Sequence, residues 1–325
     1  MSYSFKFYTD GVREYFQWEA DMRLCAMKRP VKKDFEFTQS LLGFLDIDFS
    51  SRSGYFNAMG KDIQRLRRKQ DENGDVRFLR DCFDDLAKEH VYFQLLRLDW
   101  NDRLERYLAR DYSDAYKLLP YKEITHIPAM MSLYQQQIRQ LIEKALDGSA
   151  GRKKTSEQSI AALYENFRYD THAIFEFQSI PTAFERVSGE CMTEVLYPKT
   201  TRDILDLTLR EIVRRNVGFK VCQSCGKYFP STVHGNTEFC DREFQNTGKI
   251  CREIGALTKW REKVAANPAI LLYNRFYKTR FAWIRAKKIS REAFQAWAAE
   301  ARRLRDKVVA GEMGLDEYED WLKRL

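Results

Sequence analysis

The stretch Cys222-Gln-Ser-Cys-Gly-Lys-Tyr-Phe229, continued by Phe239-Cys-Asp-Arg242 and Gly248-Lys-Ile-Cys-Arg-Glu-Ile-Gly-Ala256, decides how the last third of this chain folds. It gathers four of the seven cysteines into thirty residues, while Cys25, Cys82 and Cys191 stand singly upstream. A C-x2-C pair followed by glycine makes a tight turn whose backbone amides point at the sulfurs. Such a turn presents two thiolates to one tetrahedral ion. Cys240 and Cys251 complete a four-thiolate set, which predicts a structural zinc site held by Cys222, Cys225, Cys240 and Cys251. Four thiolates close the shell and leave no position for a catalytic water. The ten residues between Cys240 and Cys251 exceed the usual spacing of a second pair, which leaves His234 and Asp241 as alternative ligands. The rival readings are four merely buried cysteines and an iron–sulfur cluster. The C-x2-C-G turn argues against the first, and the lack of a ferredoxin-like spacing against the second.

Around the cysteines, Lys227–Pro230 and Thr237–Cys240 flank His234-Gly-Asn236 as a short hairpin would, and a helix is expected from Cys251. Knuckle, hairpin, third cysteine and a fourth at a helix start is the order of a treble-clef-like finger. Upstream, Thr200 or Thr201 caps a helix with Ile204, Leu205, Leu209, Ile212 and Val213 on one stripe, which delivers the chain into Cys222. Downstream, Pro268 starts a helix and Ser290 caps another. Ile289-Ser-Arg-Glu-Ala-Phe-Gln-Ala-Trp297 is echoed by Met313-Gly-Leu-Asp-Glu-Tyr-Glu-Asp-Trp321. Two copies of a helix-start pattern predict a helical appendage and fall short of a solenoid.

The first 147 residues also read as mostly helical. Thr9-Asp10 caps a helix through Met27, the polar 28–34 segment is a loop, one long or two abutting helices fill Arg77–Leu119, and Pro128 opens another. Gly148-Ser-Ala-Gly-Arg-Lys-Lys-Thr-Ser156 is a linker, and Ala173–Phe177 is β-compatible. The expected fold class is therefore mainly α. It comprises a helical domain over 1–147, a linker over 148–156, a helical segment over 157–218, a zinc finger with a short hairpin over 219–265, and a basic helical extension over 266–325.

Charge sharpens this division. The net +8 conceals a near-neutral 1–200, with 30 basic against 31 acidic side chains, and a 251–311 segment with 15 against 5. A basic block beside a zinc module points to a polyanion. Arg252, Lys259, Arg261 and Lys263 on the finger helix, with Arg275, Lys278 and Lys287 beyond it, are the candidate nucleic-acid contacts, duplex DNA ahead of RNA. Tyr273, Tyr277 and Phe281, at i, i+4 and i+8, are expected in a core. No run approaches the ~18 apolar residues of a membrane span, and Met1–Asp10 lacks a secretory pattern. Cysteines at metal spacing fit a reducing compartment, so a cytoplasmic protein is expected. Gly54–Lys61 glances at a phosphate loop but carries Asp62 where a magnesium-binding Ser or Thr belongs, and is read as a chance loop. His90, His126 and His172 lack partners at catalytic spacing, and no catalytic constellation emerges.

The three quoted cysteine segments resemble the signature of an uncharacterised family from Gram-positive, largely gut-dwelling bacteria. The likeness continues through Asn267-Pro268 and Tyr277-Lys-Thr-Arg280 and covers about residues 195–325; it implies kinship and no chemistry. The architecture also resembles, more distantly, the CGNR-type zinc fingers of bacterial regulators. That likeness implies an N-terminal ligand-binding domain and a DNA-facing finger with Cys222, Cys225, Cys240 and Cys251 as ligands. Here Cys251 is followed by Arg-Glu-Ile where that family has Gly-Asn-Arg, and the last two cysteines stand further apart. Together these readings predict a zinc-finger DNA-binding protein, a transcriptional regulator or mobile-element factor. The alternatives are a zinc-stabilised adaptor docking a protein through Phe294/Trp297 and Tyr318/Trp321, and an enzyme with an N-terminal site.

Overall fold

Alternation of large apolar and polar side chains over Tyr3–Ala20 builds a hairpin at the start of the chain. The computed structural model describes residues 2–324 apart from 24–25, 28, 69–71, 110–114, 149–153, 168–172, 189–190 and 232–236; the side chains at 72–73, 115, 188, 191 and 263–265 also lie outside the description. Strands β1 (Tyr3–Thr9) and β2 (Arg13–Ala20) pair antiparallel with Phe7 opposite Phe16, and β3 (Val31–Glu36) adds to β2. The helix expected over 9–27 is thus a hairpin. Asp10 Oδ1 accepts from the amides of Val12 and Arg13 at 2.8 and 2.7 Å, and Gly11 takes φ +87° to close the turn. Glu14, Phe16, Trp18 and Ala20 are buried in strict alternation, the period of a half-buried strand. The loop expected over 28–34 contains the largely exposed edge strand β3, whose Lys32 and Lys33 suit an unpaired edge.

Helices α1 (Gln39–Leu45), α2 (Ser53–Arg67), α3 (Glu72–Glu89), α4 (Tyr92–Ala109), α5 (Ala115–Leu118), α6 (Tyr121–Ala145) and α7 (Ser156–Asn166) follow. Gly54–Lys61 lies inside α2, so it is neither a phosphate loop nor a loop of any kind. Gly60 lets α6 approach: an added Cβ would meet Thr125 at 2.6 Å. Pro128 sits within α6, which starts at Tyr121, and does not open a helix there. Ala173–Phe177 forms no strand among its described residues. Instead β4 (Thr182–Ser188) and β5 (Cys191–Leu196) pair, and β5 joins β1, giving the antiparallel order β3-β2-β1-β5-β4. Thr200 caps α8 (Thr201–Arg214) in a reciprocal box with Asp203. The chain then enters β6 (Gly218–Val221) and returns as β7 (Tyr228–Ser231).

Helices hold 59% of the described residues, so the mainly α class stands, and the five-stranded sheet is added to it. The chain divides into two compact units, Met1–Val221 with Lys227–Thr237, and Cys222–Gly226 with Glu238–Leu325. The first has one core running from Phe7 and Phe16 to Leu209 and Phe219. The second is built on α9 (Cys251–Ala265), α10 (Pro268–Arg285), α11 (Arg291–Val309) and α12 (Leu315–Lys323), with a separate core around Tyr273, Phe294, Trp297 and Tyr318. Its helices start where the sequence places caps. Asn267 accepts from Ala269 N at 3.0 Å, and Ser290 Oγ from Ala293 N at 3.1 Å. Among the described residues no helix is long and apolar enough to cross a membrane.

Candidate metal centre

Cys222 leaves β6 and opens a knuckle that closes through Gly226 N–H donating to Cys222 O at 2.8 Å, with Gly226 at φ +71°. The hairpin thus flanks the knuckle, between β6 and β7; it does not pair Lys227–Pro230 with Thr237–Cys240 as the sequence suggested. In the hairpin, Val221 pairs with Tyr228. Residues 232–236, His234 included, lie outside the description.

The ten-residue spacer before Cys251 is folded into a closed loop. Glu243 bridges Ile250, Phe244 N–H donates to Lys249 O at 2.9 Å, and Gln245, Asn246 and Gly248 adopt positive φ. That closure returns the chain, so Cys251 N–H reaches Arg242 O at 2.9 Å and Arg252 N–H reaches Cys240 O at 3.1 Å. The wide spacing therefore costs the site nothing in geometry. The ligand atoms of Cys222, Cys225, Cys240 and Cys251 all lie within 4.8 Å of one another, and Cys225 Sγ and Cys240 Sγ are 3.7 Å apart. Three of the four cysteines are buried and Cys225 is half-exposed. Asp241 points elsewhere, its carboxylate 2.7 Å from Arg252 Nη2, and is not part of the cluster.

The electrostatics differ from thiol to thiol. Burial raises the pKa of Cys222, but the backbone amides of Cys240, Cys225 and Ser224 outweigh it and bring the thiol down to about 7. Burial pushes Cys240 and Cys251 up. Cys251 stands at the first position of α9, where the helix N-terminus favours a thiolate. Four convergent sulfurs with one already favoured as thiolate can hold a metal ion. Phe239, immediately before Cys240, packs on α9 where Gly255 leaves room for its ring.

The expected nucleic-acid contacts divide. Arg252 is paired with Asp241, and Lys259 with Glu238 while lying 5.4 Å over the Phe239 ring. Both pairs tie α9 to the segment around Phe239 and Cys240. Arg261, Arg275, Lys278 and Lys287 are exposed, and the side chain of Lys263 lies outside the description. Arg275 and Lys278 share the exposed face of α10 with Arg285. Tyr273 is buried and Tyr277 packs against the core as expected, but Phe281 is 53% exposed, a correction to its core assignment. Phe294, Trp297 and Tyr318 are buried and Trp321 is half-buried against them, so most of the aromatic surface expected on α11 and α12 is spent inside the unit. On α9 the apolar side chains Leu257 and Trp260 are exposed. Burial of Arg280, at 4% exposure, is not legible in the sequence, because it sits in a basic run whose other members face solvent.

No curated protein and no solved structure matches the chain. Over residues 189–323, which include the four cysteines and α8 through α12, it matches the model of a family of unknown function (DUF6076).

Proposed function

We propose that the second unit is a zinc-organised nucleic-acid-binding module, with duplex DNA as its first ligand. The observation that carries the metal half is the convergence of four cysteine sulfurs within 4.8 Å. Zinc–thiolate bonds of about 2.3 Å set tetrahedral sulfurs about 3.8 Å apart, close to the 3.7 Å between Cys225 and Cys240. Four soft donors favour zinc over magnesium or calcium. The zinc is structural, joining the knuckle to the start of α9. The nucleic-acid half rests on Arg275, Lys278 and Arg285, an exposed cationic stripe with no ion-pair partner among the described residues. Arg261 and Lys287 extend it. Contacts of this kind give affinity and position, not base readout.

The test uses the full chain. Elemental analysis should find about one zinc per molecule, reduced in Cys225→Ser; a metal-free folded protein would sink the zinc assignment. Fluorescence anisotropy with a labelled duplex across a salt series should show binding that weakens steeply with salt. In the triple variant Arg275→Glu/Lys278→Glu/Arg285→Glu the log K against log salt slope should become shallower by about 2–3. Unchanged affinity in that variant, or no binding by the native chain at low salt, would refute the nucleic-acid reading. In the latter case exposed Leu257 and Trp260 favour a protein partner on α9 instead.

A further inference from the structure

The turn between α10 and α11 borders a half-open cavity of about 500 Å³, walled by Arg280, Trp283, Lys288, Ile289, Phe294 and Trp297. Local sequence builds it. At the end of α10, Lys287 N–H donates to Ile284 O at 3.0 Å and Lys288 N–H to Trp283 O at 2.9 Å, with Lys287 at φ +54°. This is a Schellman ending, and it folds Lys288 back over the last turn that carries Trp283. Ile289 then precedes the Ser290 cap and shares the wall with Phe294, four residues into α11, as in a hydrophobic staple.

The polar side chains of this wall are all donors. Arg, Lys and Trp offer N–H groups and no acceptor, and no acidic residue lines the cavity. Arg280 is a buried cation without a carboxylate partner among the described residues. Its Nη2 donates to the carbonyls of Leu322 and Arg324 at 3.0 and 3.3 Å, while Nε has no partner. Its guanidinium lies 4.5 Å from the Trp297 ring and 5.6 Å from that of Trp283. Burial pushes its pKa down from the ordinary value. Trp297, 7% exposed, likewise leaves its indole N–H unpaired. A buried cation without a carboxylate partner is costly, and a negatively charged ligand beside it relieves that cost. The volume falls within the range of small-molecule sites, roughly 300–1,000 Å³. Three aromatic rings offer a flat apolar surface.

We propose that this cavity binds a small planar carboxylate, its ring system against Trp283, Phe294 and Trp297 and its carboxylate facing Arg280 and Lys288. A carboxylate offsets the charge of the buried guanidinium, and an aromatic body suits the walls. This site is independent of the metal centre and of nucleic-acid binding.

Calorimetric titration of the full chain with 2-naphthoate tests it, with 2-naphthamide as the uncharged equivalent of the same shape. The acid should bind saturably, one molecule per chain, and the amide should be weaker by on the order of ten-fold, the worth of a hydrogen bond to a charged group. Ala293 is exposed and belongs to the wall; Ala293→Trp should fill the space and abolish binding. Lys288→Ala, on an exposed side chain, should weaken it several-fold without disturbing the fold. Arg280 is left intact because it also ties the end of α12. No saturable heat with 2-naphthoate, equal affinity for the amide, or unchanged binding in both variants would overturn the proposal.

Discussion

Gly255 is the residue on which the packing of the candidate metal centre turns. In a helix interior glycine costs about 0.5–1 kcal/mol relative to alanine, so its place in α9 needs a compensating contact. Phe239 supplies one, since a Cβ at 255 would fall 2.2–2.5 Å from three atoms of its ring. Gly255→Ala should therefore lower the melting temperature and weaken metal retention against a chelator, because Phe239 is the neighbour of Cys240. A stabilised variant, as helix propensity alone would give, would refute this packing role. Lys287 presents the opposite case. Its φ of +54° is a conformation that glycine adopts freely and lysine does not. Lys287→Gly should stabilise by about 0.5–1 kcal/mol in chemical unfolding, and Lys287→Ala should not. Equal effects of the two substitutions would show that backbone strain at 287 is immaterial.

The repeat seen in the sequence corresponds to one structural turn used twice. The left-handed residues Lys287 and Gly311 are followed in step by Ile289 and Met313, the caps Ser290 and Gly314, and buried Phe294 and Tyr318. Gly311 N–H reaches Val308 O and Glu312 N–H reaches Lys307 O, the pattern already described after α10. Elements of this kind are legible because capping and helix spacing are local. The starts of α8, α10 and α11 are legible from Thr200, Pro268 and Ser290. The four cysteines were legible for the same reason, since a C-x2-C-G turn carries its own geometry. The N-terminal hairpin was not read because Val12, Tyr15, Phe16 and Met22 fall at spacings that also suit a helix. Val12 is in fact 73% exposed in the turn, and Asp10-Gly11 was the stronger signal. The pairing of β1 with β5, and of Lys259 with Glu238, joins residues distant in sequence and left no local trace. Burial of Arg280 is similarly a tertiary fact.

On the scale of the molecule, buried Glu14 and half-buried His90 of the first unit have opposing effects on stability. Glu14, fully buried on β2, accepts from the amides of Thr38 and Ser40, both at 3.0 Å, and so caps α1 from another element. Burial outweighs these bonds and raises its pKa to about 7. His90 receives the Tyr92 amide at Nδ1, 3.2 Å away, which places its proton on Nε2, donated to Ser40 O at 3.0 Å. Burial lowers its pKa to about 4. The folded state thus holds a proton on Glu14 that the unfolded chain releases above about 4.5, and refuses one that unfolded His90 accepts below about 6.5. The Glu14 contribution is present at low pH and lost as pH rises toward 7. The His90 contribution is present at neutral pH and lost as pH falls toward 4. Between about 4.5 and 6.5 the two slopes run against each other at up to ~1.4 kcal/mol per pH unit each. Urea unfolding across this window should show stability rising with pH in Glu14→Gln, where His90 acts alone, and falling with pH in His90→Gln, where Glu14 does. The native chain should lie between them. Parallel profiles for all three proteins would mean that neither group titrates in the core as described, and that Glu14 serves α1 only as a permanently charged cap.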